Sequence, residues 1–174
     1  MRKSKLFLLI LFLGLVASHI SCEVQSDDKE LCEQTKWNEV KEVIITVGIS
    51  QPLDHCDDNT HRADTAEFIR IKGSIQKVYC DNTPSGKFNF DNLVQPDPNV
   101  DYINVGQRYQ FKFENDKDRL VVKCILKAYF ADGNIYESEE AQKIFYYNDI
   151  KFDFNTLEYY ILFDLPKLSW HRSL

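Results

Sequence analysis

The stretch LDHCDDNTHRAD, residues 53–64, places His55, Cys56, His61 and four aspartates within twelve residues, the densest set of potential metal ligands in the chain. Zinc is held by thiolate and imidazole donors in tetrahedral geometry, and here the spacing is poor. His55 and His61 are six residues apart, which suits neither a helical i, i+4 pair nor the histidine spacing of a zinc finger. A calcium loop needs a regular succession of Asp, Asn, Gly and Glu that this segment lacks. Oxidation of Cys56 to a disulfide would also remove the softest donor. The segment is therefore expected to be a solvated, charged loop fixed by a disulfide, with neither metal nor cofactor. No other catalytic set stands out. There is no G-x-S-x-G, and SGKF at 85–88 lacks the upstream glycines of a phosphate loop, so a non-enzymatic protein is expected.

The compartment in which these residues work is read from the start of the chain. Arg2, Lys3 and Lys5 precede an apolar run from Leu6 to Ala17, and small or polar residues follow, the pattern of a secretory signal peptide. The run falls short of the roughly 20 residues that span a bilayer. Residues 1–22 are assigned to the signal, and the protein is expected to be secreted and extracellular. Cleavage that left Cys22 first would instead make HISCEVQ resemble a bacterial lipoprotein start, with a lipid on Cys22 anchoring the protein at the cell envelope, although His19 suits that signal poorly. Loss of Arg2, Lys3 and Lys5, with no acidic residue lost, moves the formal charge from −6 to −9. Such a surface repels phosphate, and no Lys/Arg-rich run reverses the field. Nucleic acid is excluded as a partner on this reading, and membrane enters only through a lipidated Cys22.

Removal or lipidation of Cys22 leaves Cys32, Cys56, Cys80 and Cys124, an even number that in an oxidising compartment predicts two disulfides. Spacing alone does not separate the three connectivities. Cys32 to Cys56 and Cys80 to Cys124 is favoured, because the first would close an irregular N-terminal region and the second would join two apolar strands.

Elsewhere the hydrophobic pattern has period two. EVIITVGI (42–49) is β-rich, and EFIRIKGSIQKVYC (67–80) alternates Ile69, Ile71 and Ile75 with Arg70, Lys72 and Gln76. RYQFKF (108–113) sets Tyr109, Phe111 and Phe113 on one face. RLVVKCILKAYF (119–130) aligns Leu120, Val122, Cys124, Leu126, Ala128 and Phe130, and ADGN then supplies an Asp-Gly turn back through IYES. KIFYYNDIKFDF and LEYYILFDL add two aromatic-rich strands. Only DDKELCEQTKWNEVKEV (27–43) has a helical composition, and any helix there should be short. About seven or eight short strands predict an all-β, antiparallel, disulfide-stabilised β-sandwich, transthyretin-like or immunoglobulin-like, with a small β-barrel as the alternative. The divisions expected are a signal at 1–22, an N-terminal extension with Cys32 and Cys56 at 23–66, the sandwich at 67–166 and a tail at 167–174.

Three stretches carry a family resemblance. IRIKGSIQKVYCDNTP is similar to the opening strand of the nematode transthyretin-like family, with apolar-x-apolar-x-Gly-x-apolar, a Cys and a Pro-containing turn. QPDPNVDYINVGQRYQFKF resembles that family's Pro-Asp-rich loop and aromatic strand, and CILKAYFADG its alternating strand before Asp-Gly. The resemblance covers residues 68–164 and implies a secreted β-sandwich acting as a binding or carrier protein. The same fold includes hydrolases of 5-hydroxyisourate, whose C-terminal Tyr-Arg-Gly-Ser is matched only loosely by SWHRSL, with His171, Arg172 and Ser173.

Aromatic residues are expected mainly in the core. The adjacent pairs Tyr146–Tyr147 and Tyr159–Tyr160 each turn one ring outward if they lie in strands. Tyr147 and Tyr159, with the acidic loop from Asp97 to Asp101, are the candidate contacts to an extracellular protein partner. A carrier of a small hydrophobic ligand is the alternative, and a transthyretin-fold hydrolase the weaker one.

Overall fold

The computed structural model describes residues 30–50, 56, 61–97, 99–100, 102–154, 157–163 and 169–173; the signal-like segment, Cys22, His55 and Asp101 lie outside them. Among these described residues ten strands run in order: β1 (Lys36–Ser50), β2 (Phe68–Val78), β3 (Pro84–Val94), β4 (Tyr102–Asn115), β5 (Arg119–Tyr129), β6 (Ile135–Ser138), β7 (Ala141–Tyr146), β8 (Lys151–Asp153), β9 (Glu158–Phe163) and β10 (Trp170–Arg172). They make two sheets, ordered β4-β1-β9-β8 and β10-β6-β5-β2-β3, with β7 also paired to β5. The fold is thus sandwich-like and mostly β, and the sheets do not close into a barrel.

Alternation builds the interior. Leu120, Val122, Leu126 and Ala128 of β5 are fully buried, as are Ile69, Ile71 and Ile75 of β2 and Phe113 of β4. Gly73 continues the inward face of β2, where a Cβ would lie 2.1 Å from the Lys123 carbonyl oxygen and 2.6 Å from the Phe90 ring. Only glycine fits there. At the β5–β6 turn, Gly133 takes φ +84°, while the Asp132 carboxylate accepts the Asn134 amide at 2.9 Å.

The structure revises several expectations. β1, from the stretch expected to precede the sandwich, lies between β4 and β9 in the smaller sheet. Its run from Val43 to Ile49 is buried almost without alternation apart from Ile44, as a strand covered on both faces requires. The sheet is not wholly antiparallel, because β1 pairs with β9 in parallel from Ile45↔Tyr159 to Ile49↔Phe163. Helix in the 27–43 segment is confined, among the described residues, to 30–34, where the β-prone chain of β1 takes over. Trp170, Ser169 and Ser173, expected in a tail, are tied to β6: Trp170 is buried, Glu139 donates its amide to Ser169 and Ser173 donates to Ile135.

The cysteines pair differently from expectation. Cys32 bonds to Cys80, with Cα atoms 5.7 Å apart, and Cys124 is a buried free thiol. Cys80 to Cys124 fails on distance. Cys124 lies opposite Gly73, seven residues before Cys80, which along an extended chain is roughly 20 Å, far beyond the reach of a disulfide. Cys56 is buried at a different place, its amide donating to the His61 carbonyl at 2.7 Å, and does not bond to Cys32.

Around the disulfide the two sheets are pinned by a buried ion pair. Lys77, the last inward position of β2, meets Asp118 in the β4–β5 turn at 2.9 Å, and their side chains are 4% and 3% exposed. Asp118 also accepts the amides of Cys80 and Glu114, each at 3.0 Å. The Lys77 ammonium donates to the Lys112 carbonyl on β4 and sits 4.0 Å from the centre of the Tyr79 ring. Nearby, Asn115 donates to the Cys32 carbonyl at 2.7 Å. Every hydrogen-bonding direction of Asp118 named here is used inside the protein.

Two measurements follow. Lys77→Met keeps the bulk but leaves a buried carboxylate without its cation, and should cost about 3 to 5 kcal/mol in urea unfolding; a cost under about 1 kcal/mol would show that the pair is not buried in solution. Burial pushes the Cys124 thiol up to about 12, so at pH 8 the native protein should hold it protonated and resist alkylation. Non-reducing peptide mapping should recover Cys32 linked to Cys80, and label should enter Cys124 only after unfolding.

Candidate functional site

Of the 53–64 stretch, Cys56 and residues 61–64 are described, and His61 lies against the β5–β6 turn. His61 Nε2 lies 2.8 Å from Asp132, and the imidazole packs edge-on against Phe130, with ring centres 4.6 Å apart, and beside Tyr136. Arg62 grips Asp64 in a two-point bond at 3.1 and 2.6 Å. Thus His61 ties this segment to the β5–β6 turn, while the Arg62–Asp64 pair is local to it. Among the described residues no group of three or more His, Cys, Asp or Glu is placed to bind a metal.

His171 and Arg172 lie on β10, opposite Glu137 and Tyr136 of β6. Both are exposed, and the Arg172 guanidinium donates to Asn134. In the acidic loop, Asp97 is exposed, and its carboxylate accepts both the amide and the side-chain NH2 of Asn99 at 2.9 Å. Part of its charge is therefore engaged in an Asx turn.

The tyrosine pairs divide unequally. Tyr147 was expected outward; instead β7 ends at Tyr146 and the chain enters a 3-10 turn, Tyr147–Asp149, which breaks the alternation. Its ring packs 5.1 Å from Trp37 and 5.5 Å from Phe113, and Lys41 lies over it at 4.6 Å. Tyr146 is the outward member. Tyr159 does face solvent in part, whereas Tyr160 stacks on Tyr102 with nearly parallel planes.

Tyr159 belongs to a larger cluster at the β8–β9 hairpin. Phe152 pairs with it across the hairpin, ring centres 4.8 Å apart, and Phe154 stands edge-on to Phe152 at 5.1 Å. Phe154 is 83% exposed and Leu157 73%. Leu157 also takes φ +56°, a left-handed conformation that costs a branched side chain roughly 1 to 2 kcal/mol. Beside it lies a hollow of about 420 Å³ whose lining includes Ile44, Leu157 and Tyr159 together with Glu42, Arg108 and Glu158. Arg108 and Glu158 are ion-paired across β4 and β9.

Sequence reading missed Phe152, Phe154 and Leu157 by assigning aromatic-rich strands to the core. A signal was present: FDFNTL holds too few residues between two strands to bury both phenylalanines. Comparison of the chain with protein-family models, curated proteins and solved structures gives no match.

The amide of Asn134, first, and His61 hold the Asp132 carboxyl below the usual carboxylate range. A depressed native pKa stabilises the fold above the ordinary aspartate value of about 3.9, and that contribution is lost as pH falls through the native pKa. The carboxyl carbon resonance of Asp132 should therefore titrate below about 3.9, and the amide protection of Asn134 should fall over the same acid range. Titration at or above that value would remove the hydrogen bonds that hold the loop.

Proposed function

We propose that this is a secreted, non-enzymatic binding protein that engages an extracellular protein through the β8–β9 hairpin. The carrying observation is the solvent-facing cluster of Phe152, Phe154, Leu157 and Tyr159. Exposed apolar groups of this size cost solubility and contribute nothing to this core, and a left-handed leucine adds backbone strain. Exposed aromatic and apolar side chains adjoining charged ones such as Glu42, Arg108 and Glu158 suit a recognition surface. Secretion is supported by the N-terminal pattern and by a disulfide closing a separation of 48 residues. The kinship with the transthyretin-like family belongs to the same proposal; its stretch covers β2 to β9 and leaves out β1.

The carrier alternative has one observation in its favour, a groove of about 1090 Å³ along the free edges of β3 and β4, where Phe88 lies against Tyr109 and Phe111. The space between the sheets is filled by residues such as Phe113, Phe163 and Leu126, which favours surface docking. Gentle purification and native mass spectrometry separate the two: a bound hydrophobic compound lost on Phe88→Asp favours the carrier.

For docking, a photoreactive benzophenone side chain at position 154 should cross-link a discrete protein from extracellular fluid, and Leu157→Ser with Tyr159→Ser should abolish the adduct while leaving the melting temperature within about 3 °C. An adduct unchanged by those substitutions would remove the hairpin as the contact. Leu157→Gly should raise stability by about 1 kcal/mol through relief of the left-handed backbone and at the same time weaken capture. A loss of stability would mean that Leu157 is held there by packing.

A further inference from the structure

The outward face of the larger sheet gathers positive charge that is scattered in the sequence. Register sets Ser74 of β2 between Asn89 of β3 and Lys123 of β5. Lys72 lies one outward position along β2, and Gln76, one position the other way, is flanked by Lys87. Outward positions on one strand are about 7 Å apart and neighbouring strands about 4.8 Å, so three ammonium groups ring the Ser74 hydroxyl within reach of their long side chains. Together these side chains line a hollow of about 440 Å³.

Two features make the hollow more than a lysine-rich surface. Ser74 is 6% exposed and lines the hollow. Its hydroxyl lies beneath long cationic side chains and can donate to an acceptor seated in the hollow. Charge balance is the second feature. Arg70, Lys123 and Lys127 are paired with Asp91, Glu140 and Glu137 at 2.7, 3.1 and 3.3 Å. Lys72, opposite Asp91, and Lys87 form no ion pair among the described residues, and the five cations that line the hollow outnumber its two carboxylates, Glu137 and Glu140, and Asp91 beside it.

We infer that this face binds a sulfated polysaccharide, with a sulfate ester seated over Ser74 between Lys72, Lys87 and Lys123. The tetrahedral oxyanion is matched by the hydroxyl, the Asn89 amide and the Lys72 and Lys87 ammonium groups, with Lys123 shared between it and Glu140. A sugar chain is favoured by what adjoins the hollow. Arg70 and Tyr129 are shared with a second depression, of about 420 Å³, floored by Phe68 and Leu93. Phe68 and Leu93 are exposed, and an apolar shelf one step from an anion seat suits the C–H face of a pyranose ring next to its sulfate. A ligand with several sulfates is needed, because the net charge of the protein opposes a lone anion. The site lies on the sheet that does not contain the β8–β9 hairpin and does not depend on the role proposed for it.

The test uses the full secreted chain and a highly sulfated hexasaccharide of alternating glucosamine and uronic acid, with its desulfated counterpart and a peptide carrying clustered phosphoserines as comparators, by calorimetry at low salt. The sulfated chain should bind, weaken steeply with added salt, and lose about tenfold or more in affinity with Lys72→Gln plus Lys87→Gln. Ser74→Ala should cost several-fold. Lys36→Gln plus Lys117→Gln removes the same charge elsewhere and should change affinity less than about twofold. Circular dichroism confirms folding, and because Lys72 and Lys87 are exposed on the surface the melting temperature should hold. Equal binding of the desulfated chain, equal loss in the control variant, or no binding of the sulfated chain would overturn the proposal. Tighter binding of the phosphoserine peptide would overturn it in favour of a phosphoprotein.

Discussion

The ion pair between Lys77 and Asp118 is the constraint on which the arrangement of the two sheets depends. Burying two charges is costly, and their attraction offsets that cost only where the remaining lone pairs and protons are also satisfied. Here they are. Asp118 accepts the amides of Cys80 and Glu114, while Lys77 donates to the Lys112 carbonyl and lies against Tyr79. The amides and carbonyl belong to the end of β2, the end of β4 and the turn into β5, so one carboxylate and one ammonium fix the pole where the chain crosses between sheets. The Cys32–Cys80 bond and the Asn115 contact to Cys32 tie the start of β1 to the same pole. In the chain-entropy view, closing a separation of 48 residues contributes about 4 kcal/mol by restricting the unfolded state.

A fixed pole leaves other surfaces able to carry residues that do not serve packing. The β8–β9 hairpin hangs at the edge of the smaller sheet, so Phe152, Phe154 and Leu157 have no facing layer to bury them. The outward face of the larger sheet is the converse. Its apolar positions point inward, and long cationic side chains from β2, β3 and β5 are left side by side over Ser74. His61, at the described end of the stretch that looks most like chemistry in the sequence, serves as a brace, bonded to Asp132 in the β5–β6 turn.

The strands themselves were legible in the sequence, because alternation is a local property. The periods in 67–80, 108–113 and 119–130 correspond to β2, β4 and β5, and the inward set from Leu120 to Ala128 is buried as read. Lys77 was legible too, though unread: it shares parity with Ile69, Ile71 and Ile75, and a lysine on an inward face calls for a buried acid. Tyr159 was correctly placed in part at the surface; Tyr147 was not, because a 3-10 turn after Tyr146 interrupts the two-residue period.

What the sequence by itself determined is the class of structure: an all-β chain with apolar alternation, a signal-like start and cysteines suited to oxidation. Only the tertiary structure decided which distant groups meet. Disulfide partners depend on where strands end in register, and so Cys80 reaches Cys32 and not Cys124. The parallel pairing of β1 with β9 joins residues more than 110 positions apart, beyond anything a local pattern encodes. The cationic hollow has the same origin. No basic run exists along the chain, yet lateral strand spacing of about 4.8 Å brings Lys72, Lys87 and Lys123 together, since charge density on a sheet is set by neighbours across strands rather than along them.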